Sequence, residues 1–167
     1  MKTKINKIGF EIEGEFNTTS ENLVKKHGVI KSDGSLHPCE DSCDNLEPME
    51  FASSAYEIKD ISKIKNLFDD LSKSYLDNNF HYNDSCGFHI HLSFRPVLPV
   101  EIISLEFAKY FMDKLKNKYP EEYKDRKDNT FCNPFYSEDR DIAYCNDRYK
   151  AINFMPSFRK RNTIEFR

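Results

Sequence analysis

The most regular alternation of apolar and polar residues in this chain runs from residue 88 to residue 94. Its even-numbered positions are all apolar, whereas its odd-numbered positions are His89, His91 and Ser93. A period of two residues predicts a β-strand with one buried face. On the other face the two imidazoles would lie about 6.5 Å apart, the rise over two strand residues. Because histidine is the commonest metal ligand, this strand is a candidate half-site, and the alternative is a pair of surface or hydrogen-bonded core histidines.

A second alternating segment lies near the start of the chain, at residues 8–16. Phe10 and Ile12 share one face, and Glu11, Glu13 and Glu15 share the other. Three carboxylates on one strand face repel each other, and glutamate is a poor strand former. Inside a sheet these charges require cations, and a divalent metal would supply them. On an exposed edge strand, solvent alone would tolerate them.

The remaining pattern predicts both strands and helices. Further strands are predicted at residues 28–31, 46–51, 149–154 and 162–167. Apolar residues spaced by three and four predict two helices, one at residues 58–76 and one at 99–119 that begins at Pro99. Both apolar stripes are typical of helices that pack on a sheet.

Three stretches lack a regular period. Asp33-Gly34 predicts a tight turn with a positive φ at the glycine. His37, Cys39 and Cys43 carry zinc-ligating groups, but their spacing matches no common zinc module, so both thiols are expected to be reduced and without a structural role. Residues 120–147 predict a long irregular segment, either a lid over a site or a surface excursion.

The predicted strands share one layout, in which an apolar face lies opposite a face of Glu, His or Arg. In one antiparallel sheet the helices would cover the apolar face, so the chain is predicted to be a single α+β domain over residues 1–167. The opposite face would carry Glu11, Glu13, Glu50, His89, His91, Glu165 and Arg167. Carboxylates with one or two imidazoles suit Mg²⁺ or Mn²⁺ better than zinc, and an arginine suits phosphate or carboxylate.

The composition limits the classes of binding partner and the cellular compartment that we expect. Charged residues make up 32% of the chain, but the net charge is only −3, which argues against nucleic acid or anionic lipid as a partner. No apolar run approaches the ~20 residues of a membrane span, and the first residues do not resemble a signal peptide or an anchor. Five scattered cysteines, an odd number, favour a reducing compartment, so a cytoplasmic location is expected.

Six segments of this chain resemble, in the same order, the motifs of the amidoligase family, carboxylate–amine ligases with a glutamine-synthetase-like fold. They are residues 9–13, 33–36, Glu50 with Ser53, 86–91, 148–153 and 163–167. The resemblance implies a curved antiparallel sheet with helices packed on its convex face, shortened at Arg167, where relatives usually continue. It also implies ATP-dependent formation of an amide or isopeptide bond through an acyl phosphate.

The resemblance further implies a role for each matched residue. Glu11, His89 and Glu165 would hold a Mg²⁺ or Mn²⁺ ion that bridges the ATP phosphates, and Glu13 and Glu50 would hold a second ion. His91 and Arg167 would contact phosphate oxygens, and Arg148 would bind phosphate or the substrate carboxylate. The partners implied are small-molecule or peptide carboxylates and amines, and an oligomer is compatible with these features.

Two other functions remain open at this stage. The first is a single-metal enzyme that uses the pair His89 and His91. Such sites usually add a carboxylate a few residues downstream, where this chain has Arg95 and Pro96. The second is a non-catalytic member of the same fold that binds a nucleotide or a protein, against which the full set of acidic and imidazole positions argues.

Overall fold

The computed structural model describes residues 4–17, 21–38, 45–83, 85–95, 102–126, 150–154 and 163–167. Within these residues, the strands are β1 (Lys4–Asn17), β2 (Gly28–Ser32), β3 (Leu46–Ser53), β4 (Tyr56–Glu57), β5 (Phe80–His81), β6 (Phe88–Arg95), β7 (Ile152–Asn153) and β8 (Thr163–Phe166). The helices are α1 (Glu21–His27), α2 (Ile61–Leu76), α3 (Leu105–Lys118) and α4 (Pro120–Arg126). The predicted combination of helices with a mostly antiparallel sheet is confirmed.

The chain divides into two compact units. The first unit is Lys7–Ile90, and the second is His91–Arg167 together with Met1–Asn6. Each unit has a hydrophobic core of its own. The division falls within β1 and within β6: residues 7–17 and 88–90 belong to the first unit, and residues 4–6 and 91–95 belong to the second. That the whole chain is one domain stays a prediction.

In the first unit, the strand order is β2-β3-β1-β6, and β4 and β5 also pair with β1. The β1–β3 and β2–β3 pairs are antiparallel. Phe16, Phe51 and Leu67 have no exposed surface and form the centre of the core. Because Leu67 lies on α2, this helix covers the apolar face of β1, as its stripe predicts. The acidic face of β1 is therefore turned away from the core.

In the second unit, the strand order is β6-β8-β7, and β7 pairs with β8 in antiparallel fashion. Phe94, Ile152 and Ile164 are buried with Ala108 and Met112 of α3. The stripe of this helix therefore packs on strands, as its sequence predicts.

Several predicted boundaries are wrong. The helix α3 begins at Leu105 rather than at Pro99, because the hydroxyl of Ser104 caps it by accepting a hydrogen bond from the backbone N–H of Phe107 at 3.1 Å. The helix α4 occupies the start of the segment predicted to be irregular. Its remaining residues, 127–147, lie outside the described residues. No prediction was made for α1, β4 or β5.

The turn at Asp33 is confirmed, but its predicted cause is wrong. Gly34 does not adopt a positive φ. Instead, the Oδ1 atom of Asp33 accepts hydrogen bonds from the backbone N–H of Ser35 at 2.9 Å and from its hydroxyl at 2.6 Å. The aspartate side chain therefore closes the turn.

Among the helices of the described residues, none combines the length and the apolar character needed to cross a membrane.

Candidate functional site

The acidic face of β1 forms the centre of the candidate site in the first unit. Its odd-numbered residues include Glu11, Glu13 and Glu15. In the antiparallel β1–β3 pair, Glu13 lies opposite Glu50, and in the β2–β3 pair Glu50 lies opposite Lys31. The Nζ atom of Lys31 is 3.8 Å from Oε1 of Glu50. Three strands therefore place two carboxylates and one ammonium group in a row.

His89 of β6 contributes an imidazole to this face. Its Nδ1 atom is 3.5 Å from Oε2 of Glu11, and its Nε2 atom is 3.6 Å from Oε1 of Glu13. The residue is only 6% exposed. The ring is thus held between two carboxylates, and the structure brings together four of the predicted site residues, Glu11, Glu13, Glu50 and His89.

Gly87 contacts the carboxylate of Glu13 directly. Its backbone N–H donates a hydrogen bond to Oε2 of Glu13 at 2.7 Å. The backbone N–H of Glu13 in turn donates to the carbonyl oxygen of Gly87 at 2.9 Å. No separate role was predicted for Gly87, although its position two residues before His89 was a usable signal.

Burial and like charge raise the pKa of the Glu50 carboxyl above its usual value. Desolvation is the largest cause, and the charge of Glu11 is the next, while the Lys31 ammonium acts in the opposite direction. The carboxylates of this face therefore repel each other in the folded chain. A cation bound among them would relieve that repulsion.

Glu15 and Cys86 lie at the edge of the same face. Glu15 is 1% exposed and lies opposite His81 in the β1–β5 pair. Burial raises the pKa of the Cys86 thiol, and the charges of Glu13 and Glu15 add to this effect. The thiol is therefore held in its neutral form and is a poor nucleophile.

The second unit contains the other described residues of the predicted site, namely Glu165, Arg167 and His91. The side-chain amide of Asn153 donates a hydrogen bond to Oε2 of Glu165 at 2.7 Å. The Nη2 atom of Arg167 is 2.6 Å from Oε1 of Glu165. Glu165 is 4% exposed, so this ion pair is buried. Arg148 lies outside the described residues, as do Cys39 and Cys43.

His37, the described member of the suggested zinc group, takes part in a loop contact. Its carbonyl oxygen accepts a hydrogen bond from the side-chain amide of Asn83 at 2.9 Å, and its backbone N–H donates to the hydroxyl of Ser85 at 3.3 Å. Both hydrogen bonds use backbone atoms of His37 and connect this residue to Asn83 and Ser85. The imidazole takes no part in either bond.

Comparison with known proteins gives one match. A family model described as "Putative amidoligase enzyme" matches residues 25–140, which is more than half of the chain. Neither the curated proteins nor the solved structures contain a match to the chain. The matched range contains the motif segments at residues 33–36, at Glu50 with Ser53 and at 86–91, and because it spans more than half of the chain, the chain belongs to the amidoligase family of enzymes.

Proposed function

We propose that this protein joins a carboxylate to an amine by an amide or isopeptide bond, using ATP and Mg²⁺ or Mn²⁺, through an acyl phosphate. Membership of the amidoligase family supports the ligase class. The curved, glutamine-synthetase-like form of the sheet, with helices on its convex face, is part of the same proposal.

The observation that carries the metal-dependent part is the group of carboxylates around His89. Glu11 and Glu13 lie 3.5 and 3.6 Å from its two ring nitrogens. Glu50 faces Glu13 across the β1–β3 pair. Hard oxygen donors with one imidazole fit Mg²⁺ or Mn²⁺. These four residues would hold metal, with Glu165 as the further ligand that the family resemblance implies.

A divalent cation bound there would neutralise charge on the phosphate oxygens of ATP. Hydrogen-bond donors of other side chains supply the remaining contacts in this proposal. Arg167, whose guanidinium is oriented by Glu165 at 2.6 Å, and His91 would contact phosphate oxygens. Arg148 would bind phosphate or the substrate carboxylate.

The proposed reaction has two steps. An oxygen of the substrate carboxylate attacks the γ-phosphorus of ATP, and ADP leaves. The neutral amine then attacks the carbonyl carbon of the acyl phosphate, phosphate leaves with one oxygen of the original carboxylate, and the nitrogen releases one proton. The charged residues of the site act by positioning the phosphoryl group and by stabilising its charge.

The proposed substrates are small-molecule or peptide carboxylates and amines in the cytoplasm. The net charge of −3 supports neither a nucleic acid nor a membrane surface as a partner. An oligomer would be compatible with this function.

Trapping the acyl phosphate tests the proposal without knowledge of the amine. The protein is incubated with ATP, Mg²⁺, hydroxylamine and a panel of amino acids and acidic peptides labelled with ¹⁸O in the carboxylate. We expect a hydroxamate, ADP and ¹⁸O-labelled phosphate, all dependent on one class of carboxylate. ADP release that no carboxylate stimulates, or phosphate without ¹⁸O, would contradict an acyl phosphate.

Paired variants connect the chemistry to the site. Glu13→Gln is expected to lower hydroxamate formation by several orders of magnitude, because phosphoryl transfer depends mainly on positioning and charge neutralisation. Glu57→Gln is the matched control, since Glu57 is an exposed residue of β4 that pairs with Lys59. Equal activity of both variants would contradict the assignment of Glu13.

A further inference from the structure

Glu13 and Gly87 form a closed pair of hydrogen bonds. The backbone N–H of Glu13 donates to the carbonyl of Gly87 at 2.9 Å, and the backbone N–H of Gly87 donates to Oε2 of Glu13 at 2.7 Å. A bond from an amide to a carboxylate is charge-assisted and therefore stronger than one between neutral groups. One oxygen of the Glu13 carboxylate is thus held by the backbone.

A Cβ atom at position 87 would force the side chains of Glu13 and His89 to shift. A Cβ atom there would lie 2.7 Å from Oε2 of Glu13 and 2.7 Å from Nε2 of His89. Cβ atoms in folded proteins essentially never lie this close to a non-bonded atom. Gly87 does not adopt a positive φ. The preference for glycine at this position therefore comes from the space that the side chains of Glu13 and His89 occupy, and not from backbone strain.

We infer that Gly87 is a positioning residue of this site, which fixes Oε2 of Glu13 and leaves Oε1 to bind the cation. The inference rests on the proposed function for the identity of the cation. Oε1 is the oxygen of Glu13 that lies 3.6 Å from Nε2 of His89, which is another candidate ligand. Hydrogen bonds to ligating carboxylates orient them, and their loss usually weakens metal binding about 10–100-fold.

The first test compares two glycine-to-alanine variants. Gly87→Ala is expected to weaken binding of Mn²⁺ and of Mg²⁺, measured by calorimetry, about 10–100-fold. Gly34→Ala is the matched control, because an added Cβ there meets no atom within 4 Å and its φ is not positive. Circular dichroism checks that both variants fold. Equal metal affinity of folded Gly87→Ala and of the wild type would overturn the inference.

A double-mutant cycle separates positioning from a general structural role. Glu13→Asp shortens the side chain that an alanine at position 87 would strike. We expect Gly87→Ala to lower the metal affinity much less in the Glu13→Asp background than in the wild-type background. The effects of substitutions at two contacting residues are not additive. Equal losses in both backgrounds would show that position 87 acts independently of Glu13 and would overturn the inference.

A third measurement needs no metal and no alanine at position 87. In the metal-free protein, the amide proton of Gly87 is expected to resonate far downfield and to move upfield in Glu13→Gln, because a neutral amide oxygen is the weaker acceptor. An unchanged resonance would overturn the inference even if metal binds. If the wild type binds no metal while the resonance moves, the proposed function fails and the positioning contact stands.

Discussion

Glu13 and Glu50 lie directly opposite each other in the antiparallel β1–β3 pair, and both project from the acidic face of β1 and β3. Like charges opposite each other on neighbouring strands destabilise a sheet. The pKa of Glu50 is raised first by burial and next by the charge of Glu11, and the charge of the facing Glu13 adds the smallest contribution. The site is therefore strained by its own charge before a cation binds.

Replacing Glu50 by Gln should stabilise the metal-free protein. Because the pKa of Glu50 is higher in the folded than in the unfolded chain, its ionisation costs folding stability as the pH rises through the raised pKa, and the full cost remains at neutral pH. We expect a gain of about 0.2–1 kcal/mol at pH 7 in the presence of a chelator. Added Mg²⁺ should stabilise the wild type but not the variant.

Thermal denaturation with and without Mg²⁺ measures both effects. Glu57→Gln serves as the control, since it removes the same charge from an exposed position of the same unit. A Glu50→Gln protein that is less stable than the wild type without metal would show that the carboxylate makes a net favourable contact.

Nucleotide binding should require a divalent cation. The carboxylates Glu11, Glu13 and Glu50 would repel a bare triphosphate, and a cation between the two groups removes this repulsion. Calorimetry with ATP should detect binding with Mg²⁺ or Mn²⁺ and none after chelation. Equal affinity in both conditions would contradict a metal bridge.

Glu11 and His89 should act as a unit. Nδ1 of His89 is 3.5 Å from Oε2 of Glu11, so removal of either group disturbs the same donor set. Glu11→Gln and His89→Ala should each abolish most metal-dependent ATP binding, and the double variant should be hardly worse than either single one. Additive losses, read from calorimetry of all three variants, would place the two residues in separate functions.

We expect the pair His27 and Asp70 to make the free energy of unfolding depend on pH in the acid range. Nε2 of the buried His27 is 2.8 Å from Oδ2 of Asp70, and this hydrogen bond is the main cause that lowers the pKa of the Asp70 carboxyl. A lowered carboxyl pKa contributes stability above the usual pKa of an aspartate, and the contribution is lost as the pH falls through the lowered value.

Asp70→Asn should therefore cost about 0.5–1 kcal/mol at pH 7, because the carboxylate is partly exposed, and the difference from wild type should vanish in strong acid. Asp69→Asn, at the exposed neighbouring position, is the control. Urea denaturation from neutral to strongly acid pH gives both curves. A constant difference across this range would exclude the linkage.

The sequence predicted the elements that carry a strong period. The alternation of β1 and β6 determined which residues share a face of each strand, so Glu11 and Glu13 could be assigned to the polar face of β1, and His89 to that of β6, from the pattern alone. The stripe of α2 likewise identified the face that buries Leu67 and Leu71.

Short elements gave too little signal to be recognised. The helix α1 has seven residues, a length at which an isolated helix is unstable in water. It exists because Leu23 is buried in the core of the first unit. The two-residue strands β4 and β5 are defined only by their pairing with β1. Tertiary contacts, not local preference, decide such segments.

The register of the strands was also beyond the sequence. An alternating pattern shows which face a residue occupies, but not which strand lies beside it or how the two are aligned. Only the tertiary structure places Glu50 opposite Glu13, and the backbone N–H of Gly87 within hydrogen-bond distance of the Glu13 carboxylate. The sequence thus determined which side chains the site contains and which face of its strand each one occupies, because both follow from the local pattern. The distances between these side chains follow from hydrogen-bonded pairing between segments that are far apart in the chain.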